Sequence, residues 1–244
     1  VTERSAEKFT EKQPVLESLK ELVKNKYFVY LALGTISYNL AAAPVATYYA
    51  KYIFKNLSYA TIINLPGMLM IFLLPVAIPI INKFGKRNTI VFGMLMAAVG
   101  HLIVFFANDN LLIFMIGKTV GSLAAIPFTV ALIPLTGEIC DYALYKSGKP
   151  MDGIISSAAT MGGKIGLGLV AGLSSILLGW AGYISSEAAE VVSQPDSALF
   201  MLRFLAGLYA TILFTISAFC FYKIDLEQKG IKDIQNELRE KGLR

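Results

Sequence analysis

Six long apolar stretches, separated by short polar segments, dominate the 244-residue chain. Each is long enough to cross the hydrocarbon core of a bilayer, which takes about 20 residues of helix. Only 16% of the residues are charged and the mean hydropathy is +0.60, so a soluble domain is excluded. Because lipid offers the backbone no hydrogen-bond partner, the pattern predicts an all-α membrane protein with six transmembrane helices. The stretches cover residues 28–52, 59–82, 89–107, 111–135, 153–182 and 198–222.

Basic residues mark one side of the predicted bundle. Most of the 22 lysines and arginines lie before the first stretch, in the turn at 83–87, in the loop at 146–149 or after the last stretch. The positive-inside rule then puts both ends of the segment in the cytoplasm and the bundle in the cell membrane. We expect three parts: a cytoplasmic linker with an amphipathic helix at 1–27, the bundle at 28–223, and a cytoplasmic tail at 224–244, helical from Ile231.

Prolines interrupt three of the stretches. Broken helices at corresponding places of two three-helix units are typical of transporters built from a 3+3 inverted repeat. The alternative is that prolines are simply more frequent in membrane helices. The residues concerned are Pro44 in the first stretch, Pro66, Pro75 and Pro79 in the second, and Pro127 and Pro134 in the fourth.

A lysine lies near the middle of the fifth stretch. Lys164 is 11 residues beyond Gly153, or roughly 16 Å into the bilayer. A charge there costs about 2.5 to 3.5 kcal/mol, so it usually faces a water-filled pathway. Thr160 and Ser157 share its helical face, and we expect the three to bind a polyol substrate, with Tyr38 of the first stretch as a further contact. The alternative is a structural lysine paired with a carboxylate, although the chain has no carboxylate at that depth.

Opposite charges cluster on the predicted cytoplasmic side. Glu138 and Asp141 near the end of the fourth stretch face Lys83, Lys86 and Arg87 of the turn between the second and third stretches. These five residues are candidates for a cytoplasmic gate that breaks and re-forms during transport. A solvated loop network is an equally good interpretation, because exposed ion pairs contribute little.

The remaining polar residues have simpler interpretations. We expect Lys118 to extend its ammonium group to the membrane surface and the lone histidine, His101, to be a packing residue. Cys140 and Cys220 lack the spacing of metal ligands or of a disulfide framework. No nucleotide loop, zinc helix or nucleophile elbow is visible, so we predict no enzyme, no metal site and no cofactor.

The loop after the fourth stretch resembles the signature between helices ten and eleven of the glycoside-pentoside-hexuronide:cation symporters, the melibiose-permease-like branch of the major facilitator superfamily. The segment 83–87 is similar to the turn between helices eight and nine of that family, and 48–52 to the end of helix seven. Lys164 resembles its helix-eleven lysine, which implies a role in sugar binding and coupling. The matching loop residues are Asp141, Tyr142, Tyr145, Lys146, Gly148, Lys149, Asp152, Gly153 and Ile154.

Some positions depart from the pattern of that family. Ala143 and Leu144 stand where the loop often has Gly-Glu, and Pro150 where a basic residue is common. Ala159 replaces a glutamine of melibiose permease, and Thr129 its sugar-stacking tryptophan. Melibiose is therefore not the expected substrate. The family builds its cation site mainly from acidic residues of its first six helices, which this segment does not include.

The resemblance implies helices seven to twelve of a sugar or glycoside symporter that is driven by Na⁺ or H⁺ and works by alternating access. Its partners would be the lipid bilayer, a small sugar and an amino-terminal six-helix bundle, in the same polypeptide or a second half, and no nucleic acid. Two alternatives remain: a symporter of the same fold for a lysophospholipid or another amphiphile, and a non-transporting half-transporter or membrane scaffold. The first residue, Val1, is not a methionine, so we expect the natural polypeptide to begin upstream.

Overall fold

The computed structural model describes residues 23–185, 192–227 and 230–243, except the side chains of 158 and 159. These residues form helices and loops, with no strand in the described ranges. A π-helical turn at Tyr49–Ile53 extends α2, and a 3₁₀ turn at Met70–Leu73 joins α3 to α4. The helices are α1 Lys26–Leu40, α2 Ala46–Tyr48, α3 Tyr59–Leu69, α4 Leu74–Phe84, α5 Lys86–Phe106, α6 Leu111–Ala124, α7 Ile126–Ser147, α8 Asp152–Trp180, α9 Asp196–Ala206, α10 Leu208–Tyr222 and α11 Ile231–Glu240.

Five helical units of the described chain are long and apolar enough to cross a membrane, which confirms the predicted all-α membrane fold. They correspond to the second to sixth predicted stretches, and each contains an 18-residue segment whose mean hydropathy lies between 1.6 and 2.2. The first predicted stretch differs, because α1 ends at Leu40 and α2 begins only at Ala46. The units are Tyr59–Phe84, Lys86–Phe106, Leu111–Ser147, Asp152–Trp180 and Asp196–Tyr222.

Most interruptions of the helices fall at or near prolines. Pro44 lies in the gap between α1 and α2, and Pro66 precedes the 3₁₀ turn by four residues. Pro127 lies in the first turn of α7, directly after the bend at Ala125. Proline has no N–H to donate and its ring clashes with the preceding turn, so the chain bends at such places. The helices of the first and fourth predicted stretches are both interrupted, as in transporters built from a 3+3 inverted repeat. The second and sixth are interrupted as well, at Met70–Leu73 and at Gly207, whereas their counterparts, the fifth and third, are continuous.

The helices pack in a pattern that relates the two three-helix units. The helix of the first predicted stretch (α1) contacts those of the fifth (α8) and the sixth (α10). The helices of the fourth stretch (α6 and α7) contact those of the second (α3 and α4) and the third (α5). The third and sixth also contact each other. These contacts are related by an exchange of the two halves, in which the first stretch takes the place of the fourth, the second of the fifth and the third of the sixth. Such a relation is expected for an inverted repeat.

Glycines allow the closest helix contacts. A Cβ added to Gly100 on α5 would lie 2.5 Å from the backbone nitrogen of Gly121 on α6, and one on Gly117 would lie 2.6 Å from the carbonyl oxygen of Gly100. A Cβ on Gly166 of α8 would lie 2.8 Å from the carbonyl oxygen of Ile36 on α1. Small residues at such contacts are typical of membrane helix packing, where backbone proximity rather than burial from water drives association.

The apolar core has two clusters, one near each end of the bundle. One end of the bundle, which we call the termini end, carries the start of α1, the α4–α5 turn and the end of α10. The apolar cluster at this end includes Tyr27, Ile139 and Phe221. The far end carries the loop segments at 54–58, 107–110, 181–185 and 192–195, and its cluster includes Tyr49 and Phe114.

The charged tail folds back onto the termini end. The structure confirms the helix predicted from Ile231, which is α11 and packs on α7. Its apolar residues Ile231 and Leu238 are each 2% exposed. Most of the linker in which an amphipathic helix is predicted, residues 1–22, lies outside the described residues. The three-part division therefore stays a prediction.

Candidate functional site

A cavity of about 390 Å³ lies where the two apolar clusters meet. It is bounded by α1, α3, α5 and α6, by the Ala206 region between α9 and α10, and by the broken backbone at 41–46. Non-helical backbone at membrane depth is tolerated where it lines a cavity, and transporters place substrate sites at such breaks. The polar side chains of the lining are Tyr38, Tyr49, Asn64, His101, Lys118 and Ser122.

One face of α6 supplies the cationic side of this cavity. Lys118, Gly121, Ser122 and Ala125 follow one another at helical spacing and all line it. Lys118 is half-buried, and within the described ranges it makes no hydrogen bond or ion pair. The sequence predicted that its ammonium group would reach the membrane surface, but the structure places the residue in the cavity lining instead.

His101 on α5 faces the same part of α6. Its Nδ1 lies 2.9 Å from the carbonyl oxygen of Ala206, which can only accept, so Nδ1 carries the proton. The neutral ring then has an acceptor at Nε2, and a Cβ on Gly121 would lie 3.4 Å from that atom. The ring also packs at 5.2 Å from the Phe214 ring. His101 is therefore a packing residue, as expected, and lines the cavity as well.

Tyr38 is the one predicted substrate-binding residue that lines this cavity. Its ring stacks on Phe128 with the centroids 3.9 Å apart and meets Phe214 edge-on at 5.8 Å. Two aromatic neighbours fix the ring, which leaves the side chain little conformational freedom to lose when a ligand binds.

The other three predicted substrate-binding residues lie elsewhere, on the exposed face of α8. Thr160 lines a cleft of about 410 Å³ between α7 and α8, together with Thr136 and Ser156, and donates its hydroxyl proton to the Ser156 carbonyl oxygen at 3.0 Å. Ser157 and Lys164 are exposed one turn to either side. The structure thus groups this trio on one helix and separates it from Tyr38.

Charged residues meet at the termini end, around a third cavity of about 420 Å³. Glu138 is 5% exposed and accepts a hydrogen bond from Lys86 Nζ. The backbone N–H of Lys86 donates to Glu227 Oε1 at 2.8 Å, and its ammonium nitrogen lies 4.0 Å from the same oxygen. Glu227 follows the last membrane helix, and no sequence pattern marked it as a partner of the predicted gate.

The other predicted gate residues have separate partners. Arg87 is 6% exposed, with its guanidinium carbon 4.5 Å from the centroid of the Tyr222 ring. Asp141 accepts a hydrogen bond of 2.7 Å from Gln235 of α11. Lys83 is exposed, with its ammonium nitrogen 5.4 Å from the centroid of the Phe84 ring. Lys86 and Glu138 form a direct ion pair with each other.

The sequence of this chain matches a known protein family over most of its length. Residues 1–228 match the model of a family described as MFS/sugar transport protein. The chain belongs to this family. It is a family of transporters rather than enzymes, and its members are multi-pass membrane proteins, in agreement with the five apolar helical units. The resemblance to the glycoside-pentoside-hexuronide:cation symporters is thereby confirmed.

Several curated relatives of this MFS/sugar transport chain align over most of its length. It is 28% identical to the isoprimeverose transporter of Lactiplantibacillus pentosus over 234 residues, 92% of this chain and 47% of that protein. It is 26% identical to a putative sulfoquinovose importer of Salmonella typhimurium, over 88% of this chain and 46% of that protein. For the glucuronide carrier protein homolog of Escherichia coli the identity is 22%, over 93% and 52%. The chain spans about half the length of the curated relatives it matches.

Proposed function

We propose that this chain is the carboxyl-terminal six-helix half of a sugar or glycoside symporter that works by alternating access. The family match over residues 1–228 carries the proposal. Two features of the structure support it: broken helices that line a polar cavity, and helix contacts that relate two three-helix units. The relatives are named for isoprimeverose, sulfoquinovose and glucuronide, and sugars of this kind are the class of cargo that we propose.

The exposed face of α8 is the part of the proposed substrate path that a second half would cover. Lys164, Thr160 and Ser157 lie on that face, while Gly162, Gly163 and Gly166 of the same helix pack on α1. A lysine at this depth is tolerated when it looks onto water or substrate. In the assembled carrier these three residues would bind sugar hydroxyls, with Tyr38 contributing from the neighbouring cavity.

The coupling cation, Na⁺ or H⁺, is proposed to bind mainly in the other half. The described lining of the central cavity, the 390 Å³ cavity to which Tyr38 and Lys118 belong, contains no aspartate or glutamate, so this half supplies no carboxylate ligand there. Coupling would then require both halves to close around the sugar together, as rocking-bundle transport demands.

Lys86, Glu138 and Glu227 are proposed as the core of a cytoplasmic gate, with Asp141, Arg87 and Lys83 around them. A cytoplasmic position of the termini end and a bundle in the cell membrane are part of this proposal, and the excess of basic residues at that end supports them. A buried pair that shares a cavity with a second carboxylate can exchange partners with little loss of contact, which suits an element with two states.

Uptake of radiolabelled glycosides by cells that express the complete gene tests the proposal. We expect accumulation that stops when the Na⁺ and H⁺ gradients are collapsed, and Lys164→Ala should reduce it at least tenfold, because a hydrogen bond from a charged group contributes about 1.5 to 3 kcal/mol. Lys223→Ala, which removes an exposed lysine after α10, is the matched control and should transport normally. Gradient-independent uptake, or full activity of Lys164→Ala, would contradict the proposal.

A further inference from the structure

We propose that the central cavity binds the negative group of an acidic sugar, a carboxylate or a sulfonate, through Lys118. This inference rests on the proposed function and deepens it, because it separates sugar acids from neutral sugars as cargo. It assigns the selective contact to α6, whereas the resemblance to known symporters points to the lysine of α8.

Lys118 is a cation without a counter-charge in the part of the chain that the structure describes. It lies seven residues into α6, roughly 10 Å from the end of the helix at ~1.5 Å per residue. The cavity lining contains no carboxylate among the described residues. A charge in such a place is costly unless it has a partner, so the missing negative charge is best supplied by a ligand.

The rest of the lining fits a polyhydroxylated ring that carries one anionic substituent. His101 Nε2 is an acceptor for a sugar hydroxyl, because Nδ1 is already committed to the Ala206 carbonyl oxygen. Ser122, one turn beyond Lys118, both donates and accepts. The side-chain amide N–H of Asn64 donates to the carbonyl oxygen of Ala60 at 2.9 Å, which leaves the side-chain oxygen of Asn64 as an acceptor.

The size and the character of the cavity agree with this class of ligand. A volume of about 390 Å³ lies at the small end of the range for small-molecule sites, roughly 300 to 1,000 Å³. Tyr38, whose ring stacks on Phe128, adds an aromatic side chain to the lining, and aromatic rings provide apolar surface together with a polar group. A long acyl chain would find the polar groups of Lys118, His101 and Ser122 in its way, with their hydrogen bonds unsatisfied.

Three probes of nearly equal size separate charge from shape: methyl β-D-glucoside, methyl β-D-glucuronide and the methyl glucoside with a 6-sulfonate. Equilibrium binding to the purified protein, expressed from the complete gene, is measured for each. We expect both acids to bind at least about tenfold more tightly than the neutral glucoside, the scale of one hydrogen bond from a charged donor. A preference for only one acid would tell whether the carboxylate or the sulfonate is the natural group.

Variants at Lys118 then locate the contact. Lys118→Gln should bring the ratio between acid and neutral sugar to about one, while Lys118→Arg keeps the charge and should keep the preference. Lys223→Gln removes an exposed lysine and should leave the ratio unchanged. The ratio between acid and neutral sugar binding of the unaltered protein is itself a test of the inference. The inference can therefore be tested even if a variant folds poorly.

Two results would overturn the inference alone: equal binding of all three sugars by the unaltered protein, or an unchanged ratio in a folded Lys118→Gln. In either case uptake that depends on Lys164 would leave the proposed transport function standing. If no sugar binds and no glycoside is taken up, the proposed function fails and this inference fails with it.

Discussion

The ion pair between Lys86 and Glu138 predicts an asymmetry that stability measurements can resolve. The Glu138 side chain is 6% exposed and bonds to Lys86, whereas Lys86 is 29% exposed and also lies 4.0 Å from Glu227. Lys86→Met therefore strands a buried carboxylate, while Glu138→Gln leaves the ammonium group with both water and a second acid. The loss of the lysine should cost more than the loss of the acid.

The expected magnitudes follow from this exposure. Removing one partner of a fully buried pair costs about 3 to 5 kcal/mol. Because Lys86 is partly hydrated, water reaches the site and the cost of Lys86→Met should fall to about 2 to 3 kcal/mol. Glu138→Gln keeps the shape and leaves Lys86 beside Glu227, so we expect about 1 kcal/mol. The double variant should be more stable than Lys86→Met alone, because no unpaired charge is then left in the protein interior.

The measurement is SDS-driven unfolding of the purified protein in mixed micelles, followed by circular dichroism. Lys223→Met at the same end of the bundle is the control and should stay within about 0.5 kcal/mol of the unaltered protein. The reasoning is refuted if Glu138→Gln destabilises the protein as much as Lys86→Met does, or if the double variant is the least stable of the three.

Three further predictions concern packing and loops. Gly100→Ala should destabilise the bundle by about 1 to 3 kcal/mol, because its Cβ would lie 2.5 Å from backbone of α6; Gly179→Ala, with open space around its Cβ, should be neutral or stabilising in the same unfolding assay. Gln194→Ala removes two hydrogen bonds to the backbone of Ile184, of 2.9 and 2.7 Å, so amide exchange at Ile184 should accelerate severalfold. Tyr27→Phe loses a 2.6 Å bond to a carboxylate after α10 and should cost about 1.5 kcal/mol by unfolding, with no change expected only if water replaces the bond.

Much of the fold was predictable because hydropathy and proline positions act locally. Five predicted stretches correspond to helical units, and Pro44, Pro66 and Pro127 lie at or near the bends. The bend at Gly207 was missed, because no proline marks it. The α5 helix approaches closely at this position, because a Cβ added to Gly207 would lie 2.4 Å from the Cβ of Phe105.

The candidate site was less predictable, because a cavity depends on helices that are distant in sequence. Lys118 is close enough to its helix end to reach the membrane surface, whereas the cavity beside it is bordered by distant segments, among them the gap between α1 and α2. The partnership between Lys86 and Glu227 joins residues 141 positions apart, a separation that helical periodicity does not encode. Tyr38 was identified from depth and residue type alone, and it does line the cavity.

The packing of α11 has a practical consequence for engineering this protein. A hydropathy plot would place the natural cut site for truncation or fusion just after Tyr222, where the last apolar stretch ends. Cutting there would remove Glu227 from the backbone of Lys86, Gln235 from Asp141 and the cover provided by Ile231. Reporters and affinity tags therefore belong beyond Leu243, where they leave the contacts of Glu227, Ile231 and Gln235 intact.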